Sequence, residues 1–351
     1  MSRHLSNFAK ISIFMAFGLG ILYLVYLRQE TAYQADCAIK GTAAGDCSLI
    51  NKIFDDITHA HFFWVFITMI IFMISNVFRA LRWEMMLQAI GYHPRRINLL
   101  GTIMINYLAN LGIPRSGEIV RAGLISNYEN IPVEKALGTI FTDRIFDVIM
   151  LVIVIILAIL FGGNDFLAYV QQNMNVSDKI NMLFKNPVLS FITGLAICTI
   201  FIFIWKKRDL LISSPIGLKV SNLFKGFADG VQSVRKVSSI PLFIFYTLAI
   251  WMMYYVMLYF AFFSFDPTSH LGPIAGLVVF VFGSLGIVIP TPGGMGSYHF
   301  LVGEALAMYD INGVDAFSFA NIVFFSIQIF VNIFFGVMAL VILPIINKDK
   351  I

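Results

Sequence analysis

Three charged residues, Arg115, Glu118 and Arg121, stand at i, i+3 and i+6 in the stretch 105–121, INYLANLGIPRSGEIVR. On a helix they would share an arc of about 120 degrees, with one carboxylate between two guanidiniums. A second set, Asp143, Arg144 and Asp147, interrupts an apolar run as DRIFD, its two aspartates four apart and on one helical face. A charge at the centre of a bilayer costs at least ~2.5–3.5 kcal/mol on insertion scales, so these residues must be paired or face water. Paired, they neutralise one another and fix helix packing. Freed, a planar guanidinium grips a phosphate through two parallel hydrogen bonds. The sequence offers no convincing Ser-His-Asp order, metal-ligand cluster, CxxC or P-loop, so neither an enzyme nor a bound metal or cofactor is expected.

The elements that hold these charges must be membrane helices. Hydrophobic residues make up 59% of the 351 and charged ones 13%, and mean hydropathy is +0.83, whereas soluble domains run at about 45–50% and 25%. A net charge of +4 without a basic block gives no argument for nucleic acid. The expected fold class is an all-α polytopic membrane protein, with 1–351 a single transmembrane domain.

Two of its apolar segments are broken. Residues 283–300, GSLGIVIPTPGGMGSYHF, place Pro290, Pro292, Gly293, Gly294 and Gly296 where no helix runs on unbroken, and Gly112 and Pro114 do the same in 105–121. Non-helical backbone at membrane depth is tolerable only where protein buries it or water reaches it. Interrupted segments in corresponding halves of a chain point to a transporter site. Helix N-termini after each break would add positive dipole ends and unpaired N–H groups.

The topology that follows has about six full spans and two re-entrant hairpins, at 97–135 and 270–310, entering from opposite faces as inverted repeats would. The spans are 11–27, 61–80, 136–161, 187–205, 240–263 and 317–343. Residues 28–60 read as an external loop, and 209–239 as an amphipathic segment on the cytoplasmic leaflet. Arg82, Arg95, Arg96, Lys135 and Lys206 to Arg208 fall on the inner side, whereas Arg28, Lys40, Lys52, Lys179 and Lys185 fall outside. That bias puts both termini in the cytoplasm and the protein in the plasma, or inner, membrane. Cys37 and Cys47, in the external loop, form a disulfide if that side is oxidising and are otherwise two thiols; Cys198 reads as a small core residue.

PRSGEIVR at 114–121, DRIFD at 143–147 and PTPGGMG at 290–296 together resemble the flippase-like membrane domain of lysylphosphatidylglycerol synthases and their stand-alone relatives, over roughly residues 5–345. The resemblance implies inverted re-entrant elements and translocation of a lipid head group between leaflets. It makes Arg115, Glu118 and Arg121 the charged re-entrant residues, Arg144 and Asp147 the charged membrane pair, and Gly293, Gly294 and Gly296 the glycine break. The chain departs from the pattern in having Asp143-Arg144 where relatives often have Glu-Arg, and His299 where they commonly carry a glutamate. His299 is either a pH-responsive group at the site or a packed side chain, and Glu304 is a candidate for the acidic role. Aminoacyl transfer is not expected, because the large soluble domain of the synthases is lacking.

His59 and His61 read as interfacial side chains, and Asn321, Gln328 and Asn332, sharing a face of the last span, as interhelical hydrogen-bonding residues. The expected function is transport of a phosphate-bearing lipid head group, the partners being a phospholipid or isoprenoid-phosphate lipid and the bilayer itself, with homo-oligomerisation left open. Two other readings use the same sequence: a transporter or channel for a water-soluble solute or ion, and a non-transporting accessory subunit of lipid or glycan assembly.

Overall fold

The computed structural model describes residues 2–39, 47–162 and 232–348, and the regular structure among them is helical. The expected crossing at 187–205, with Cys198, and most of the segment 209–239 lie outside the described residues. The helices are α1 (Ser2–Ile39), α2 (Leu49–Thr58), α3 (Phe62–Gln88), α4 (Arg96–Gly112) and α5 (Gly117–Glu129). They continue with α6 (Val133–Phe161), α7 (Ile240–Phe262), α8 (Pro273–Val288), α9 (Ser297–Ala307) and α10 (Gly313–Ile346). Of these, α3, α6, α7 and α10 are long and apolar enough to cross a membrane. Helix α10 is π-helical over Phe324–Val331.

The two broken segments are helical hairpins. At the base of the first, Glu129 Oε1 at the end of α5 accepts from Asn98 Nδ2 at 2.6 Å and from the Arg95 amide at 2.9 Å, so α4 leaves and α5 returns to one level. The same base is tied to the end of α10 by a reciprocal amide pair between Asn98 and Asn347, at 2.9 and 2.8 Å. The second hairpin, α8 and α9, has its base beside the start of α10. The two bases therefore lie at opposite ends of one long helix.

The tips satisfy their own backbone. In the first, Arg115 takes φ +62°, Asn110 Oδ1 accepts from the Gly117 amide at 2.8 Å, and Ser116 Oγ donates to the Ile113 carbonyl at 2.8 Å. In the second, Gly293, Gly294 and Gly296 are left-handed at φ +59°, +84° and +80°, a conformation open to glycine. Ser297 Oγ lies 2.7 Å from the Gly286 carbonyl and 2.8 Å from Thr291 Oγ1, covering groups that lipid could not. Gly296 also carries the crossing of α1: a Cβ there would stand 2.7 Å from the Leu22 amide nitrogen and 2.8 Å from Ile21 Cβ.

Within 28–60, expected as an external loop, most of the described residues are helical. Helix α1 continues to Ile39 and α2 fills 49–58, and part of their polar surface is paired within the protein. Glu30 Oε2 accepts from the Leu49 amide at 3.1 Å, Lys52 bridges Asp56 at 2.8 Å and Asp315 at 3.0 Å, and Ser318 donates to Asp56 at 2.6 Å. Leu49 packs with Val25, Val314 and Phe317 beneath them. Cys37 and Cys47 are joined as a disulfide, Cα to Cα 6.3 Å.

Candidate functional site

Arg79 and Arg82 are three apart on α3, and Asp143 and Asp147 four apart on α6, so each pair points from one face of its helix. The faces meet. Arg79 Nη1 donates to Asp143 Oδ2 and Asp147 Oδ2, both at 2.8 Å. Arg82 uses its Nε and Nη2 edge on Asp143 Oδ1, at 2.9 and 2.6 Å, and Nη2 reaches Asp147 Oδ1 at 2.9 Å. Thr247 and Tyr254 of α7 take further donors from Arg82 and Arg79, at 3.3 and 3.4 Å. Arg79, Arg82 and Asp143 are buried, so this pairing is what makes their presence tolerable.

Helix α5 adds Glu118 and Arg121, and α6 adds Arg144. Arg144 Nη2 pairs with Glu118 Oε1 at 2.9 Å while its Nη1 reaches Asp147 Oδ2 at 3.2 Å. Arg121, fully buried, approaches Asp143 Oδ2 only to 3.8 Å, and its guanidinium lies 3.7 Å over the Trp83 ring. Trp83 is itself held by a 2.9 Å hydrogen bond from Nε1 to Thr139 Oγ1. A desolvated stack of this kind contributes about 2 kcal/mol. Deep members and outer members can be told apart by exposure: Arg82 and Asp143 at 0%, Asp147 at 14%, Glu118 at 23% and Arg144 at 35%.

The predicted residues thus divide. Glu118, Arg121, Asp143, Arg144 and Asp147 come together in one network. Arg115 does not join it: helix α5 begins only at Gly117, so Arg115 sits on the turn, exposed, and donates from Nη2 to the Val288 carbonyl at 3.1 Å. The i, i+3, i+6 arc is corrected accordingly: Arg115 has a left-handed backbone at φ +62° and lies before the first turn of α5. Pro290, Pro292, Gly293, Gly294 and Gly296 form the opposite tip, where Leu111 of α4 packs on Gly293. His299 is buried against Phe324 and Phe317, ring centroids 4.7 and 5.8 Å away, so it is a packed side chain. Glu304 pairs with Arg28 of α1 at 2.9 Å, away from the network.

Arg82, expected at the cytoplasmic end of its span, and Arg79, unassigned by the sequence, both join the network. Helix α3 runs on to Gln88 and carries both arginines buried within the protein. Their spacing, R-x-x-R on an apolar helix, was the signal available. Of the asparagines of α10, Asn332 Nδ2 donates to Gln328 Oε1 within the helix, whereas Asn321 Nδ2 donates to the Phe317 carbonyl and its side chain also meets His299 of α9. His61 meets Asp266 at 2.8 Å, and His59 meets Asp55 at 3.1 Å, both at the exposed end of α3. No group of three metal-ligating side chains occurs among the described residues.

Fold and site define a multi-pass helical membrane protein whose interior charges are gathered where a helical hairpin meets three spans. The chain belongs to the family described as the lysylphosphatidylglycerol synthase TM region, whose model matches residues 48–336. It is 25% identical over 240 residues to UPF0104 membrane protein MJ1078 of Methanocaldococcus jannaschii, covering 66% of this chain and 94% of that protein. It is 31% identical over 81 residues to glycosyltransferase AglD of Haloferax volcanii, which is 23% of this chain and 13% of AglD. No solved structure matches it.

Proposed function

We propose that this protein carries a phosphate-bearing lipid head group between the leaflets, through the Arg–Asp network as the binding site. The observation that carries the reading is a set of four guanidiniums, Arg79, Arg82, Arg121 and Arg144, buried or half-buried beside only three carboxylates. Structural pairing alone needs no such surplus. Helices α4 and α5, at about 25 and 20 Å, and α8 and α9, at about 24 and 16 Å, are shorter than a hydrocarbon core of about 30 Å. This supports hairpins that re-enter from opposite faces and meet tip to tip.

In the proposed cycle Glu118 and Asp147 pair with the arginines while the site is empty, and the arriving phosphate takes over Arg144 from Glu118. Arg115, bonded across the tips, closes the seam between the hairpins. Rocking of one hairpin against the other then exposes the site to each side in turn. The hydrocarbon tails stay in lipid, along a groove of about 740 Å³ between α3 and α10 lined by Phe66, Met69, Met73, Phe330 and Phe334. Arg95, Arg96 and Lys135 mark the cytoplasmic end, and the Cys37–Cys47 disulfide the outer one.

The test is head-group accessibility in proteoliposomes, following labelled phospholipids and a labelled isoprenoid phosphate. Transbilayer movement of a lipid class supports the reading. Uptake of a soluble anion in place of any lipid would replace it with the solute-transporter reading, and no movement of either with the accessory-subunit one.

A further inference from the structure

Arg82 and Arg121 present the same chemistry in different states of use. Arg82 lays its Nε–H and Nη2–H edge along Asp143, at 2.9 and 2.6 Å. The corresponding atoms of Arg121, Nε and Nη2, have no hydrogen-bond partner among the described residues although both are buried. These two donors are the side-on fork that fits two oxygens of a carboxylate or phosphate. Leaving such donors unmatched in an apolar interior is costly, and the guanidinium is not free to turn away from them. It is clamped on Trp83 at 3.7 Å, and Trp83 is fixed by Thr139.

The charge balance says what the fork accepts. Counting the four arginines against Asp143, Asp147 and Glu118 leaves one positive charge in the network, and Arg121, 3.8 Å from its nearest carboxylate, is the residue that holds it. One negative charge makes the site neutral; two or more leave it negative in a medium that opposes net charge.

We infer that the Arg121 fork, positioned by Trp83 and Thr139, is an oxyanion seat for a single negative charge, and that Glu118 sets that charge selectivity. This rests on the lipid-transport reading and narrows it: the seat discriminates a phosphodiester, with one negative charge, from a phosphate monoester or pyrophosphate. Glu118 is suited to this role because it is partly exposed and its Oε2 has no partner among the described residues. It contributes charge without being needed to hold Asp143 in place.

The experiment uses the purified full chain in phosphatidylcholine vesicles with trace labelled phosphatidylglycerol, polyprenyl phosphate and polyprenyl pyrophosphate, comparing transbilayer rates. Phosphatidylglycerol is expected to outrun the pyrophosphate by about tenfold or more. Arg121→Lys, which keeps the cation over Trp83 but lacks the fork, is expected to erase that advantage. Glu118→Gln, which raises the site to two positive charges, is expected to shift the ratio toward the pyrophosphate. An equal or faster pyrophosphate in the wild type, or a ratio unchanged in both variants, overturns this inference and leaves lipid transport standing. Movement of none of the three probes overturns both.

Discussion

Arg115 donates from Nη2 to the carbonyl oxygen of Val288 at 3.1 Å, across 173 residues of sequence. Each belongs to the tip of a different hairpin, and Arg115 makes the bond from a left-handed backbone at φ +62°. Val288 is the last residue of α8, so its carbonyl has no partner in its own helix. The bond answers a group that the chain break left open, and it ties together two halves whose bases lie at opposite ends of α10.

Asp143 is the residue on which the network depends. It is fully buried, and Arg79, Arg82 and Arg121 all converge on it. Asp143→Ala leaves three buried guanidiniums around no carboxylate at that point, and removing one partner of a buried pair costs about 3–5 kcal/mol. Thermal unfolding in detergent should fall steeply for this variant. A melting temperature near the wild type would mean that Asp147 alone compensates the arginines.

Gly296→Ala tests the crossing of α1 over the second tip. The residue is at φ +80°, and its new Cβ would stand 2.7 Å from the Leu22 amide nitrogen. The left-handed backbone alone costs about 1–2 kcal/mol for a residue with a Cβ, and the clash adds to it. The variant should unfold earlier and lose the packing of α1 on the tip, read as faster amide exchange around Leu22. Gly303→Ala, where a Cβ meets nothing within 4 Å, is the matched control.

A pH dependence is expected at the end of the molecule that holds α2. Burial of Lys52 opposes its charge, but the hydrogen bonds with Asp56 and Asp315 outweigh this and raise its pKa above the ordinary value. A raised lysine contributes stability that is fully present below its unfolded pKa, about 10.4, and is lost as pH rises through the folded one. The stability difference between wild type and Lys52→Met should therefore be level from neutral pH to about pH 9.5 and close only above about 10.4. A difference that closes between pH 5 and 8 would assign the effect to another group.

Much of this was legible in the sequence for physical reasons. Proline and glycine in apolar segments forbid continuous helix, so breaks were expected in 105–121 and 283–300, and helices end there at Gly112 and Val288. Asp143, Arg144 and Asp147 announced themselves because charge in apolar sequence demands partners. Arg82 was read as a topology marker, since a cation near a span end obeys the positive-inside rule as readily as it fills a buried pair; the length of α3 is what brings it inside the protein. Arg115 was placed on one helical arc with Glu118 and Arg121, but its left-handed backbone at φ +62° leaves it outside α5. The helices in 28–60 were hidden because polar composition reads as solvated loop, whereas Lys52, Asp56, Asp315 and Ser318 satisfy one another across α2 and α10.

The central claim, that the Arg–Asp network binds the transported head group, is tested most directly by transbilayer lipid movement in proteoliposomes containing wild type, Arg144→Ala or Arg28→Ala. Arg144 is the most exposed arginine of the network, so its loss should spare folding, and Arg28 is a surface residue 66% exposed and paired only at the periphery. The account predicts that Arg144→Ala slows movement by about tenfold or more while Arg28→Ala does not. Equal rates for all three folded proteins would contradict it and return the network to a purely structural role.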